Sequence, residues 1–206
     1  MPRFGTIDVG SNSILIHIAE RGDDGRFTVL ADRSEITKLG EGLAQTGEFS
    51  AAAMERSATA LQGFAELAAS HGVEAMVAVG TMALRTARNA ADVVAAVRAR
   101  SGIDITVIPG EEEARLAYRA ALTGLPQQAE RMVVFDVGGG STEFIYGSPR
   151  AIERKFSLNI GALRFTERYC TTDPVSPEAL SAILAQLDEE LAQLEPVEGT
   201  LVIGIG

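Results

Sequence analysis

What the sequence lacks already limits what this protein can be. It has one cysteine, Cys170, so no disulfide can form within the chain, which fits a reducing, cytoplasmic setting. No apolar run reaches the ~20 residues that a membrane-spanning helix needs, and no signal peptide is visible, so we expect no membrane partner. The net charge of −10 argues against a nucleic-acid partner, because non-specific binding to nucleic acid requires a basic surface.

Several common catalytic motifs are also missing. The sequence has no HExxH zinc motif, no Walker A loop ending in Gly-Lys-Ser or Gly-Lys-Thr, and no suggestive Ser-His-Asp set. Lysine is scarce, since Lys38 and Lys155 are the only lysines among 18 basic residues. Arginine suits bidentate contact with phosphate oxygens, although a codon bias explains the same excess.

Strand-like and helix-like patterns alternate along the chain, which predicts an α/β fold. With 206 residues, of which 46% are hydrophobic, the chain can form one large domain or two small ones. Turn-forming residues around Gly124 and Pro126 suggest a first domain at 1–125 and a second at 126–206. A strand-like run stops at Gly206 without the helices that would cover it, so we expect the second domain to be truncated.

Two glycine-rich turns of similar design each follow an apolar strand. The first runs from Asp8 to Ser13 and the second from Asp136 to Glu143. Successive N–H groups in such turns bind anions, and an aspartate at the strand end suits a hydrated Mg²⁺. An ordinary hairpin turn explains either copy alone. The repeat favours two domains of common design that face one cleft.

Charged residues follow two other strands. Glu111, Glu112 and Glu113 open a predicted helix, where acidic residues stabilise the helix N-terminus. The functional alternative is that one glutamate orients or deprotonates a water molecule. Arg85 lies in a predicted loop after a strand, where it is either solvated or clamps a phosphoryl group.

Five segments together resemble the exopolyphosphatase/guanosine pentaphosphate phosphohydrolase (Ppx/GppA) family, in the order that the family has. They are IDVGSNS at 7–13, GTMALRTARNA at 80–90, PGEEEARLAY at 109–118, FDVGGGSTEF at 135–144 and GALRFTERY at 161–169. The resemblance covers essentially the whole chain. It implies an actin-like ATPase/ribonuclease H-like fold, with two lobes around a cleft.

The resemblance also implies a reaction and the residues that perform it. The family releases terminal phosphate from inorganic polyphosphate, or from pppGpp in the stringent response, with Mg²⁺ or Mn²⁺, and its members often form homodimers. By position, Glu113 activates the attacking water and Arg85 contacts phosphate, while Asp136, Glu143 and Asp8 serve the metal. The implied phosphate-binding residues are Asp8, Gly10, Ser11, Asn12 and Ser13 in the first turn and Gly138, Gly139, Gly140, Ser141 and Thr142 in the second.

Two other functions remain open from the sequence. One is a kinase of the same superfamily, which would transfer phosphate from ATP to a small acceptor. The other is a non-catalytic sensor that binds polyphosphate or pppGpp without turnover. The joint presence of Glu113, Asp136 and Glu143 favours the hydrolase.

Overall fold

The computed structural model describes residues 1–123, 130–195 and 197–206, which form two compact units. Unit 1 is Met1–Pro109 and unit 2 is Gly110–Gly206. The domain boundary predicted at 125/126, with its turn at Gly124 and Pro126, lies outside the described residues.

Unit 1 is built on a five-stranded sheet. Its strands are β1 (Arg3–Val9), β2 (Ser13–Arg21), β3 (Phe27–Ile36), β4 (Ala75–Gly80) and β5 (Ile105–Val107). They lie in the order β3-β2-β1-β4-β5, with β1, β2 and β3 antiparallel and β4 and β5 parallel to β1. The apolar pattern of the sequence predicts a strand over 103–108, but only residues 105–107 of this range pair with β4.

Four helices accompany this sheet. They are α1 (Leu43–Thr46), α2 (Ala51–Ser70), α3 (Met82–Thr86) and α4 (Ala90–Ser101). The sequence predicts a helix with Ser50 as its N-cap and Gly72 just beyond its end, and α2 confirms both positions. The Ser50 hydroxyl accepts a hydrogen bond from the Ala53 amide, and Gly72 takes a positive φ of 63°. Alternate isoleucines of β2 pack with residues of α2 and α4 to form the core of unit 1.

Unit 2 begins with a helix and contains a four-stranded sheet. Its elements are α5 (Gly110–Thr123), β6 (Met132–Val137), β7 (Thr142–Ser148), β8 (Ala151–Leu158), α6 (Ala162–Tyr169), α7 (Pro177–Leu191) and β9 (Leu201–Ile205). The strand order is β8-β7-β6-β9, with β6, β7 and β8 antiparallel and β9 parallel to β6. This repeats the order of the first four strands of unit 1, as the two glycine-rich turns suggested.

The two faces of the unit 2 sheet have different cores. On one face Ala114, Tyr118 and Ala121 of α5 pack against Met132 and Val134 of β6. The other face carries a row of stacked aromatic rings from three neighbouring strands, namely Phe135, Phe144 and Phe156. Because side chains alternate along a strand, Asp136 continues the face of Met132 and Val134 that α5 covers.

None of the helices in the described ranges is both long enough and apolar enough to span a bilayer.

Candidate active site

The two glycine-rich turns have nearly the same backbone geometry. The amide of Gly10 donates to the carbonyl of Ser13 at 3.0 Å, and the amide of Gly138 donates to the carbonyl of Ser141 at 2.9 Å. A Cβ atom would lie 2.9 Å from the Ser13 oxygen at Gly10 and 3.1 Å from the Ser141 oxygen at Gly138. Each turn therefore closes tightly on its first glycine, which has no Cβ to obstruct it.

The carbonyl groups of the second turn are held by the start of α6. The Ala162 amide donates to Gly138 at 3.0 Å, and Arg164 donates to Gly139 through its amide at 3.0 Å and to Gly140 through Nε at 2.8 Å. Within the described ranges, none of the backbone hydrogen bonds outside regular helices and strands is donated by Gly139 or Gly140. Their N–H groups thus suit the binding of an anion.

The residue just before helix α6, Gly161, lies so close to this turn that a larger residue would clash with it. A Cβ atom at Gly161 would lie 2.5 Å from the carbonyl oxygen of Gly139 and 2.6 Å from the Cα atom of Gly140. Both contacts involve backbone atoms, which cannot rotate away as a side chain can. Gly161 therefore allows α6 to fix the carbonyls of the turn.

Two carboxylates lie side by side next to the second turn. Asp136 of β6 pairs directly with Glu143 of β7, and Glu143 pairs with Ser157 of β8. One oxygen of Glu143, Oε1, accepts hydrogen bonds from the Ser141 hydroxyl at 2.8 Å and the Ser157 hydroxyl at 2.9 Å. These two donors fix the Glu143 carboxylate in one orientation.

Asp136 is in an environment that disfavours its negative charge. Burial, followed by the nearby charges of Glu143 and Glu113, raises its pKa from 3.8 to about 6. Helix α5 packs against β6, and Glu113 in its first turn is within electrostatic range of Asp136. Strands β6 and β7 thus place two carboxylates side by side, and Glu113 adds a third negative charge; these three residues are the carboxylate cluster.

The three glutamates at the start of α5 have different partners. Glu111 forms an ion pair with Lys155 at 3.3 Å, and Glu112 accepts a hydrogen bond from Nε of Arg115 at 2.7 Å. The Arg115 hydrogen bond is the main reason that the pKa of Glu112 is lowered. Glu113 instead acts on the pKa of Asp136. All three glutamates lie in the first turn of α5, where they stabilise the helix N-terminus, and the role of Glu113 toward water stays a prediction.

The first turn is anchored by the segment that follows β3. The carbonyl of Asn12 accepts from the amides of Thr37 at 3.1 Å and Lys38 at 2.8 Å, and the carbonyl of Ser11 accepts from Gly40 at 2.7 Å. Asp8 is exposed at the end of β1. The first turn therefore presents Asp8 on a backbone fixed by carbonyl contacts, as α6 fixes the second turn.

The environment of Arg85 differs from the sequence expectation. The segment was predicted to be a loop, but residues 82–86 form the short helix α3 and Arg85 lies in its last turn. One of its guanidinium nitrogens, Nη1, donates to the carbonyl of Ile108 at 2.9 Å. A five-residue helix is too short to show a clear hydrophobic periodicity, which is why the sequence did not reveal it.

Thr142 has a structural contact. It is buried, and its hydroxyl donates to the carbonyl of Ile160 at 2.7 Å. Ser157, Gly161 and Arg164 touch Glu143 or the second turn but were not predicted as site residues. The motif at 161–169 contains two of them, but their contacts depend on how α6 docks.

The oxygen ligands of unit 2 fit a hydrated divalent cation. No group of three or more His, Cys, Asp or Glu side chains suited to metal binding occurs in the part of the chain that the structure describes. Mg²⁺ does not need one, since it is bound by one or two carboxylates together with waters and phosphate oxygens. Asp136 and Glu143 offer two neighbouring carboxylates, and a cation would also relieve their repulsion.

The fold and the site define an α/β protein of the actin-like class, with a carboxylate cluster beside a glycine-rich turn. The sequence profile of the Ppx/GppA phosphatase family matches residues 18–201, and the chain belongs to this family. Both the fold class and the family indicated by the sequence motifs are confirmed.

Two curated relatives illustrate the range of the family. Exopolyphosphatase 2 of Mycobacterium tuberculosis is 35% identical over 201 residues, which cover 93% of this chain and 62% of that protein. The guanosine-5'-triphosphate,3'-diphosphate pyrophosphatase of Photobacterium profundum is 35% identical over 196 residues, 95% of this chain and 38% of that protein. The chain spans 56% of the length of M. tuberculosis exopolyphosphatase 1 and 62% of that of exopolyphosphatase 2.

Solved structures show the same relationship. The crystal structure of the Aquifex aeolicus Ppx/GppA family member matches with a TM-score of 0.76 and 32% identity, covering 100% of this chain and 66% of that one. A chain of the PilM–PilN type IV pilus biogenesis complex matches with a TM-score of 0.61 at 13% identity, over 97% of this chain and 80% of that one. This second likeness shows the fold alone.

Proposed function

We propose that the protein hydrolyses phosphoanhydrides, releasing the terminal phosphate of inorganic polyphosphate or of pppGpp by metal-assisted attack of water. The observation that carries the proposal is the pair of carboxylates, Asp136 and Glu143, within electrostatic range of Glu113 and beside a glycine-rich turn with available amides. Phosphoryl transfer requires mainly positioning and neutralisation of charge, and these groups supply both. The names of the relatives, an exopolyphosphatase and a pyrophosphatase, support the same class of reaction.

In this proposal Asp136 and Glu143 hold the divalent cation, Mg²⁺ or Mn²⁺. A cation at this position would supply neutralisation of the phosphate charge. Ser141 and Ser157 keep one Glu143 oxygen occupied, so that the carboxylate stays oriented toward its ligand. The amides of Gly139 and Gly140 bind phosphate oxygens.

We assign the positioning of the attacking water to Glu113. It lies in the first turn of α5, which packs against β6, and its charge acts on Asp136, so it is within electrostatic range of the proposed cation. A carboxylate there accepts a proton from water as the new bond to phosphorus forms, while the P–O bond to the bridging oxygen breaks and the shortened phosphate compound leaves. The roles of Asp8, Arg85 and the turn at 10–13 in phosphate or metal binding stay predictions from the sequence, as do the homodimer and the cytoplasmic location.

The test is phosphate release by the Glu113→Gln variant, measured at steady state with polyphosphate and pppGpp side by side. We expect kcat to fall by about 10²–10⁴-fold with little change in KM, because the glutamine keeps the shape of the side chain but cannot accept a proton. Glu111→Gln is the matched control, since it removes the same charge from the same helical turn and should keep its activity. Equal activity of the Glu113→Gln variant and the wild type would reject the assigned role.

Two further measurements separate the alternative functions, namely the fate of the γ-phosphate of ATP and the binding of polyphosphate or pppGpp. A superfamily kinase would transfer phosphate from ATP to a small acceptor rather than to water. A sensor would bind polyphosphate or pppGpp saturably with Mg²⁺ present and release no phosphate. Either result would overturn the hydrolase proposal, whatever the effect of the Glu113 substitution.

A further inference from the structure

A pocket lined by arginine side chains lies in unit 2 at the opposite end of the sheet from the second glycine-rich turn. Its volume is about 470 Å³, within the usual range for small-molecule sites. Strand β7 begins beside the turn, at Thr142, and ends beside the pocket, at Ser148. A strand of this length spans roughly 20 Å, so the pocket is separate from the carboxylate cluster. The residues that matter for its chemistry are Arg115, Arg119, Leu122, Pro149, Arg150 and Ile152.

Packed contacts fix the walls of this arginine pocket. The hydroxyl of Tyr118, on α5, donates to the carbonyl of Ser148 at 3.0 Å. A Cβ atom at Gly147 would lie 2.7 Å from the same tyrosine oxygen, so the glycine allows α5 and the β7–β8 turn to meet. The contact between Tyr118 and the β7–β8 turn therefore fixes α5 against the turn, and Arg119 and Arg150, one on each segment, line the same pocket.

Positive charge dominates the pocket. Arg115 is paired with Glu112, and the nearby Glu153 is paired with Arg131 at 3.7 Å. Among the ion pairs within residues 1–123, 130–195 and 197–206, none includes Arg119 or Arg150. The charge of Arg119 helps to lower the pKa of Glu112, but neither Arg119 nor Arg150 is held in an ion pair in the described part of the chain, in a protein whose net charge is −10.

We propose that the arginine pocket is a second anion site, which binds a chain of two or more phosphates. A guanidinium group contacts phosphate oxygens through two parallel N–H donors, so Arg119 and Arg150 can each hold one phosphate of the chain. The phosphate chain can come from free oligophosphate or from a nucleotide, whose organic part would contact Leu122, Pro149 and Ile152. This site does not depend on the hydrolase proposal, because none of its residues belongs to the carboxylate cluster.

The experiment measures calorimetric binding of tripolyphosphate, a nucleoside triphosphate and the corresponding nucleoside in metal-free buffer. We expect the Arg119→Ala/Arg150→Ala double variant to lose one binding event or to bind at least 10-fold more weakly. The matched control is Arg21→Ala/Arg26→Ala, which removes two exposed arginines from unit 1 and changes the net charge equally. Arg119→Lys/Arg150→Lys, which keeps the charge but removes the planar donors, should bind with intermediate affinity.

The outcomes decide between the alternatives. Similar affinity for tripolyphosphate and the nucleoside triphosphate would indicate that the phosphate chain alone is recognised, whereas tighter binding of the nucleotide would identify it as the ligand. The proposal is overturned if both alanine double variants lose affinity equally, since general electrostatic attraction would then explain the binding. It is also overturned if neither variant loses affinity, or if only the nucleoside binds.

Discussion

Replacing Asp136 by asparagine should stabilise the metal-free protein although it removes a proposed metal ligand. The carboxyl group of Asp136 has a pKa of about 6 in the folded protein instead of 3.8, so the fold favours its protonated form. Above about pH 6 the folded protein must carry a negative charge on Asp136, which burial, Glu143 and Glu113 all disfavour. Asparagine has a similar shape without the charge, and it removes this cost.

The pH dependence follows from proton linkage. Between pH 3.8 and about pH 6 the carboxyl group of Asp136 binds more protons in the folded state than in the unfolded state. The free energy of unfolding therefore decreases as pH rises through this range. At about 1.4 kcal/mol per pH unit, the whole interval corresponds to at most about 3 kcal/mol. Only about half of that interval remains above pH 5, and residual solvent contact reduces it further. We therefore expect the advantage of Asp136→Asn to grow by roughly 1 kcal/mol between about pH 5 and about pH 8.

Urea unfolding followed by circular dichroism, with a chelator present, measures this difference. The pH range begins near pH 5 because the protein has little net charge, and precipitates most readily, near its isoelectric point of about 4.7. Asp188→Asn, an exposed substitution on α7 of the same unit, is the control and should show a constant difference from the wild type. Added Mg²⁺ should then stabilise the wild type but not Asp136→Asn. A stability difference that is independent of pH, or equal stabilisation of both proteins by Mg²⁺, would refute the reasoning.

Two further substitutions test the support of the site. Ser157→Ala removes one of the two hydroxyl donors to Glu143, so we expect the Mg²⁺ concentration for half-maximal phosphate release to rise by about 10-fold or more. Ser157→Thr, which keeps a hydroxyl group, should restore the wild-type Mg²⁺ requirement. An unchanged Mg²⁺ requirement in Ser157→Ala would contradict this role. Gly161→Ala places a methyl group against the backbone of Gly139, so we expect the turn to shift and phosphate release to fall at least about 10-fold, since small displacements in an active site are costly. Gly63→Ala, in α2 with open space around it, is the control and should be active, and equal activity of the two alanine variants would show that the close approach at Gly161 is unimportant.

The sequence predicted those features that depend on neighbouring residues. The sequence alone predicts strands at Met132–Val137 and Leu201–Ile205, because apolar runs ended by glycine are local signals, and β6 and β9 have these bounds. The cap at Ser176 and the proline at the start of α7 likewise mark a helix start without reference to the rest of the fold. Helices α1 and α3 escaped prediction because each is too short for a helical period to appear.

The contacts within the site could not be read from the sequence, because they depend on how the strands pair and on how the helices pack against the sheet. Asp136 and Glu143 are seven positions apart, and the tight turn between them makes them neighbours. The contact between Ser157 and Glu143 requires the pairing of β7 with β8, which the sequence does not specify. The approach of Glu113 to Asp136 depends on how α5 packs on the sheet, through contacts between residues far apart in the chain.

The repeated turns also differ in a way that separates backbone geometry from chemistry. Both turns close through the same hydrogen bond, but the residue opposite the strand-end aspartate is Glu143 in unit 2 and Leu15 in unit 1. A single exposed carboxylate at Asp8 provides one ligand, whereas Asp136 and Glu143 provide two with a mutual repulsion that a cation relieves. The same turn can therefore present amides in both units, whereas the pair of neighbouring carboxylates proposed to bind the cation occurs in unit 2. Repetition of the turn therefore repeats the backbone geometry without repeating this pair, and the metal role of Asp8 stays a prediction from the sequence.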